Sequence, residues 1–231
     1  MPTDSRDAGA IMSEPESLDT DEALPKRIER HWFDRLIMLS DGVFAIAMTL
    51  LALEVRPPHA WSGEIGDLIV QIWRPLFGYA LSFMIVAVFW FSNRSILARV
   101  RRVDGPFSVL TLLFLCLIGL TPFATALMAE QGPAKSMKVY SILVGSTGAV
   151  QALLWSYAAF WRNLLDAAVS RSERWITLVA FLTLPLMFCI SGLVVRPGGS
   201  EYALLPVAGL AFFVGRMRRR LGKERSGGET A

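Results

Sequence analysis

Histidine and cysteine are nearly absent, with two of each in 231 residues. Cys116 and Cys189 lie inside apolar runs and in no CxxC or other metal-ligand spacing. They read as small buried hydrophobes. His31 and His59 lie outside those runs and far apart in sequence. This scarcity argues against a zinc centre and against histidine-based catalysis. No Gly-rich phosphate loop, nucleophile elbow or HExxH pattern occurs. The acidic residues near the apolar runs stand isolated, and no nucleophile sits beside a paired base. The sequence reads as no enzyme, with neither cofactor nor metal. The first residues, Met1 to about Leu24, are polar and acidic. They lack an apolar core, so no cleavable signal peptide is expected.

Hydrophobic residues make up 53% of the chain and charged ones 19%. The mean hydropathy is +0.45. Soluble domains have an apolar share nearer ~45–50%, and here the excess is gathered into long runs. The composition points to an all-α integral membrane protein built as one helical unit. Six runs stand out: about Arg35–Val55, Leu68–Ser92, Phe107–Met128, Met137–Trp161, Trp175–Val195 and Tyr202–Val214. Most approach the ~20 residues that cross the hydrocarbon core as helix. The sixth is short, and Arg216 and Arg218 would have to snorkel to extend it. Residues 1–30 read as a disordered acidic tail, 31–217 as the six-helix membrane domain, and 218–231 as a basic, then disordered, tail. The tryptophans fall mostly near span ends, as an aromatic belt would place them.

Basic residues set the direction. Lys26, Arg27, Arg30 and Arg35 precede the first span, and Arg94, Arg99, Arg101 and Arg102 follow the second. Arg162, Arg171 and Arg174 join the fourth to the fifth. Arg216, Arg218, Arg219, Arg220, Lys223 and Arg225 follow the sixth. With six spans all these clusters share one side, which the positive-inside rule makes cytoplasmic. Both termini are then cytoplasmic, in a multi-pass protein of the cell (inner) membrane. The clusters read as topology determinants beside anionic lipid, not as a nucleic-acid surface.

The first span carries charges that lipid disfavours, by ~2.5–3.5 kcal/mol each at a helix centre on insertion scales. Arg35, Ser40 and Asp41 lie in its first turns, and Glu54 lies at its far end. Leu39, Val43, Ile46, Leu50 and Leu53 form a continuous apolar stripe, with Thr49 beside it. Ala45, Ala47 and Ala52 would let neighbouring helices approach closely. Two readings of the stripe stand. It is a helix–helix or lipid-facing surface, or it faces a symmetry axis and gates by dewetting. Asp41 is either a structural hub or an ion site. Candidate partners for Arg35 and Asp41 are Ser92, Asn93 and Arg94, or Asp104, Ser108 and Thr111. Glu54 either draws cations to a pore mouth or is a solvated end residue.

Arg35-x-x-x-Leu39-Ser40-Asp41-Gly42, followed by Val-Phe-Ala-Ile-Ala-Met-Thr-Leu-Leu-Ala-Leu-Glu, resembles the signature of the transmembrane protein 175 potassium channels. The likeness extends to Phe89-Trp90 with Arg94, to Asp104, and to Leu120-Thr-Pro122-Phe123. It implies the prokaryotic single-repeat branch: a homotetramer in the lipid bilayer, with the first helix lining the pore. By that resemblance Ile46, Leu50 and Leu53 match the hydrophobic constriction, and Thr49 matches a threonine tied to cation preference. Arg35, Ser40 and Asp41 match a structural polar cluster, with Trp90 and Asn93 as partners. The chain departs from the pattern at Leu39, where the family has phenylalanine. It also has Phe91-Ser92-Asn93 where members often carry histidine, and Thr111 where an asparagine is common. The implied function is a potassium-permeable, weakly selective channel for monovalent cations. A secondary transporter and a non-conducting membrane scaffold are the alternatives.

Overall fold

A computed structural model describes residues 24–58, 62–162, 164–166 and 169–194. The helices are α1 (Leu24–Leu53), α2 (Ile65–Leu97), α3 (Gly105–Gly119), α4 (Thr121–Gln131), α5 (Pro133–Ser156) and α6 (Arg171–Val194), and a π-helical turn (Tyr157–Trp161) extends α5. No strand occurs among the described residues, only an isolated bridge between Val100 and Leu165. Five stretches are long and apolar enough to cross a membrane: His31–Leu53, Ile65–Leu97, Gly105–Gln131, Lys135–Trp161 and Arg171–Ile190. They coincide with the first five runs of the sequence. The sixth, Tyr202–Val214, lies outside the described residues, as do the C-terminal basic cluster and residues 1–23.

Boundaries differ from expectation in three places. The first helix begins at Leu24, within the segment read as a polar tail. The second helix has 33 residues and keeps Pro75 inside it, a length of about 50 Å at 1.5 Å per residue. It therefore projects beyond a ~30 Å hydrocarbon core. The third run is two helices. α3 ends at Gly119, and α4 restarts with Pro122 in its first turn, where a missing N–H breaks no helical bond.

Packing forms two layers that succeed one another along the helices. One holds Phe44, Leu51, Ile85, Phe89, Phe114, Ile118, Tyr140 and Phe188. The other holds Leu36, Ile96, Phe107, Leu154, Trp155 and Phe181. α1 contributes to both through a single buried face. Between α5 and α6, a Cβ at Gly148 would stand 2.8 Å from the Pro185 ring, and one at Gly145 would stand 3.1 Å from Cys189 Sγ. Small residues permit that approach. Two expectations are corrected. Cys116 and Cys189 are exposed rather than buried, on helix surfaces that lipid or another chain can cover. Trp155 is fully buried and no part of an aromatic belt. Its indole N–H donates to the Arg174 carbonyl at 3.0 Å.

Candidate functional site

α1 divides into two faces. Leu36, Ser40, Phe44, Ala47 and Leu51 are buried against the rest of the subunit. On the other face Leu39, Leu50, Ile46 at 60% and Leu53 at 70% are exposed. Val43 is half-buried, and Thr49 and Gly42 are exposed on the same side. The 3.6-residue period accounts for the split, since these exposed residues recur at three- and four-residue intervals. The apolar stripe thus turns away from its own subunit. Thr49 Oγ1 donates to the Ile46 carbonyl at 2.8 Å. That bond uses the hydroxyl's only proton and leaves its oxygen lone pairs as acceptors. Glu54 is half-buried in the turn after α1. Its N–H donates to Leu51 O at 3.3 Å. Nearby, Arg56 pairs with Glu130 at 3.5 Å, linking the segment after α1 to the end of α4.

The buried face is anchored by polar bonds. Asn93 Nδ2 donates to Ser40 Oγ at 2.6 Å, with both residues buried. Trp90 Nε1 donates to Asp41 Oδ1 at 2.8 Å. Four of the five sequence-predicted cluster residues therefore meet, across the α1–α2 interface. Arg35 stands outside them, exposed on α1. Arg94 lies over the Trp90 ring at 5.3 Å, within cation–π range. Of the other candidate partners, Thr111 donates within its own helix to Phe107 O, and Ser108 donates to Asp104 O. Neither reaches Asp41 through these bonds. Phe44 packs on Phe114 at 5.9 Å and fixes α1 against α3.

Asp104, one of the candidate partners for Arg35 and Asp41, works elsewhere. It caps α3, with Oδ1 accepting from Phe107 N at 3.0 Å. Its Oδ2 accepts from Tyr157 Oη at 2.7 Å and from Arg162 Nε at 3.3 Å. Burial alone would raise its pKa. The bonds from Tyr157, Phe107 and Arg162 outweigh that and hold the carboxyl below its ordinary value. The sequence did carry a signal, because Asp before Gly-Pro and an apolar run is a helix-start pattern. Nothing in it pointed to Tyr157, which lies 53 residues away. Two further pairs, Arg99–Glu173 and Arg101–Asp166, close the same end of the molecule.

These features can be set beside known proteins. The family model described as "Endosomal/lysosomal potassium channel TMEM175" matches residues 35–122. That range contains the α1 stripe, the α1–α2 anchor and the Asp104 cap. A protein of Streptomyces collinus named as a potassium channel is 31% identical over 150 residues, covering 61% of this chain and 73% of that one. Another from Chamaesiphon minutus, also named as a potassium channel, is 33% identical over 146 residues, covering 60% of this chain and 72% of that one. The chain belongs to the TMEM175 family. Its helices also match the crystal structure of a lysosomal potassium-selective channel TMEM175 homolog from Chamaesiphon minutus. The TM-score is 0.69 at 25% identity, over 80% of this chain and 98% of that one. Within the family, this member anchors its first helix through Asn93 and Trp90.

Proposed function

We propose that this TMEM175-family chain is a potassium-permeable, weakly selective cation channel of the cell membrane, acting as a homotetramer whose α1 helices surround the pore. It performs no catalysis. The observation that carries this reading is the outward apolar face of α1, rigidly backed by polar bonds on its inner face. A helix that packs only its Ser40–Leu51 face needs cover for Ile46, Leu50 and Leu53. A symmetry axis shared with other copies supplies that cover for every subunit alike. Ile46, Leu50 and Leu53 then form stacked constrictions that gate by dewetting. Thr49 lies among them with acceptor lone pairs facing the permeant ion. Glu54 stands at the outer mouth, where its charge concentrates cations. Selectivity is modest because side-chain hydrocarbon offers no oxygens to replace a hydration shell.

Potassium and sodium currents through reconstituted protein test this. Ile46→Asn and Leu50→Ser should raise conductance and change the potassium-to-sodium ratio. Unchanged currents in both variants would remove the stripe from the pore. A transporter of the same fold is the second reading, favoured by the break between α3 and α4, since interrupted helices mark transporter sites. Stoichiometric coupling of potassium flux to a second solute would establish that reading instead.

A further inference from the structure

The corner where the π-helical turn meets the start of α6 carries an arrangement that neither pore nor anchor uses. Phe160 and Trp175 pack with ring centroids 4.8 Å apart. Trp161 is 78% exposed and lies 6.4 Å from Tyr157. Large rings left open together favour the boundary between headgroups and acyl chains, where an apolar body and a polar edge are both solvated. Arginines flank them. Arg171 precedes Trp175 by one helical turn and shares its face. It is exposed and makes no ion pair among the described residues. Among those residues Arg162 engages Asp104 through Nε, which leaves its two terminal nitrogens as donors. Its side chain is 61% exposed.

The corner is also held in place. Arg174 Nη1 donates to Ala159 O at 2.8 Å, and Trp155 Nε1 donates to Arg174 O at 3.0 Å. Arg101 N–H donates to Leu164 O, and Asp166 N–H to Arg99 O, both at 2.9 Å. Asp104 fixes Arg162 from the α3 side. The Arg162 guanidinium therefore needs little ordering when an anion arrives, whereas Arg171 is anchored only through the backbone of α6.

We propose that this corner binds an anionic phospholipid of the cytoplasmic leaflet. Arg162 and Arg171 take the phosphate. Phe160, Trp161 and Trp175 take the glycerol and upper acyl chains. Charge complementarity selects this occupant, because a zwitterionic headgroup brings its own cation to the guanidinium groups and gains less. Lipid capture here requires that the protein span the bilayer with this corner on the cytoplasmic side, not that it conduct.

Native mass spectrometry of the purified full-length protein tests this, with phosphatidylglycerol and phosphatidylcholine of matched chains as probes. The wild type should retain phosphatidylglycerol preferentially. Arg171→Gln, which breaks no ion pair among the described residues, should weaken that binding about five-fold, the worth of one interfacial arginine. R162Q/R171Q should weaken it further. Arg74→Gln, on the outer half of α2, should change nothing. Equal retention of the two lipids by the wild type would overturn the assignment. So would an R171Q protein that keeps the full preference. A preference that emerges only in D19N/D21N/E22Q would assign the corner to the chain's own acidic segment and overturn the lipid as occupant.

Discussion

Single residues decide how α1 is held. The Ser40–Asn93 bond is fully buried, so losing one partner strands the other without water. Asn93 Oδ1 already lacks a partner in the described structure, which leaves the Nδ2 bond to secure the residue. Asn93→Ala should cost about 1–3 kcal/mol, read as a lower apparent Tm of the detergent-solubilised protein. Trp90→Phe keeps an aromatic ring but removes the indole N–H to Asp41, which is only half-buried and can rehydrate. It should cost less than Asn93→Ala. The reverse order would mean that Asp41, not Ser40, carries the anchor. Asp104 gives a prediction in pH. Its carboxyl titrates below its ordinary value in the fold, so the ion is favoured there over the unfolded chain. That contribution is complete above the ordinary carboxylate value of ~3.9 and is lost as pH falls through the folded-state value. Asp104→Asn keeps a good helix cap but not the charge facing Arg162. It should therefore be less stable than wild type at neutral pH, with the gap closing in acid. A gap that stays constant with pH would separate Asp104 from that titration. Ser40, Asp41 and Asn93 were legible in advance because polar side chains in an apolar helix must find one another; Trp90 was pointed to by the family resemblance alone. Arg35 was grouped with them by the family resemblance, yet it is exposed on α1 and lies six residues from Asp41, off its face.

At the scale of elements, periodicity was the readable part. The division of α1 follows from a 3.6-residue repeat and needed no tertiary information. Breaks between helices were harder to read. Thr121-Pro122 lies within a continuous apolar run, and hydropathy averages across a local change of direction. The π-helical turn left no hydropathy signal either, since one extra residue per turn alters backbone bonding and not composition. The pairing of α5 with α6 depends on glycines whose role appears only in three dimensions. Gly148→Ala would press its methyl against the Pro185 ring at 2.8 Å. The ring is rigid, so the helices must separate. Overpacking of this kind costs about 1–3 kcal/mol. Gly42→Ala meets nothing within 4 Å and should leave the Tm of isolated subunits unchanged. A Gly148→Ala protein as stable as wild type would show that α6 can slide freely against α5.

For the whole molecule, the parity of crossings decides how every charged cluster is used. Five described stretches can span the bilayer, and an odd number alone would put the two termini on opposite sides. The arginines after Val214 would then face outward, against the rule that places basic clusters in the cytoplasm. A crossing by Tyr202–Val214 would resolve this and keep the arginines of all four clusters on one side. The proposed pore depends on the direction of α1. In a tetramer, α1 must begin at the cytoplasmic end for Glu54 to stand at the outer mouth. Thiol labelling from each side measures the direction directly, in a protein with Cys116 and Cys189 replaced by alanine. Ser62→Cys, in the segment before α2, should react with an impermeant reagent from outside. Ser17→Cys and Ser226→Cys should react only once the cytoplasmic face is opened. Ser226→Cys reacting from outside would mean five crossings, with the last segment lying along the membrane. A reversed Ser62→Cys would invert the channel and put Glu54 at the inner mouth. Because the lipid corner and the cation-attracting mouth lie at opposite ends of the helices, one inversion would undo both assignments together.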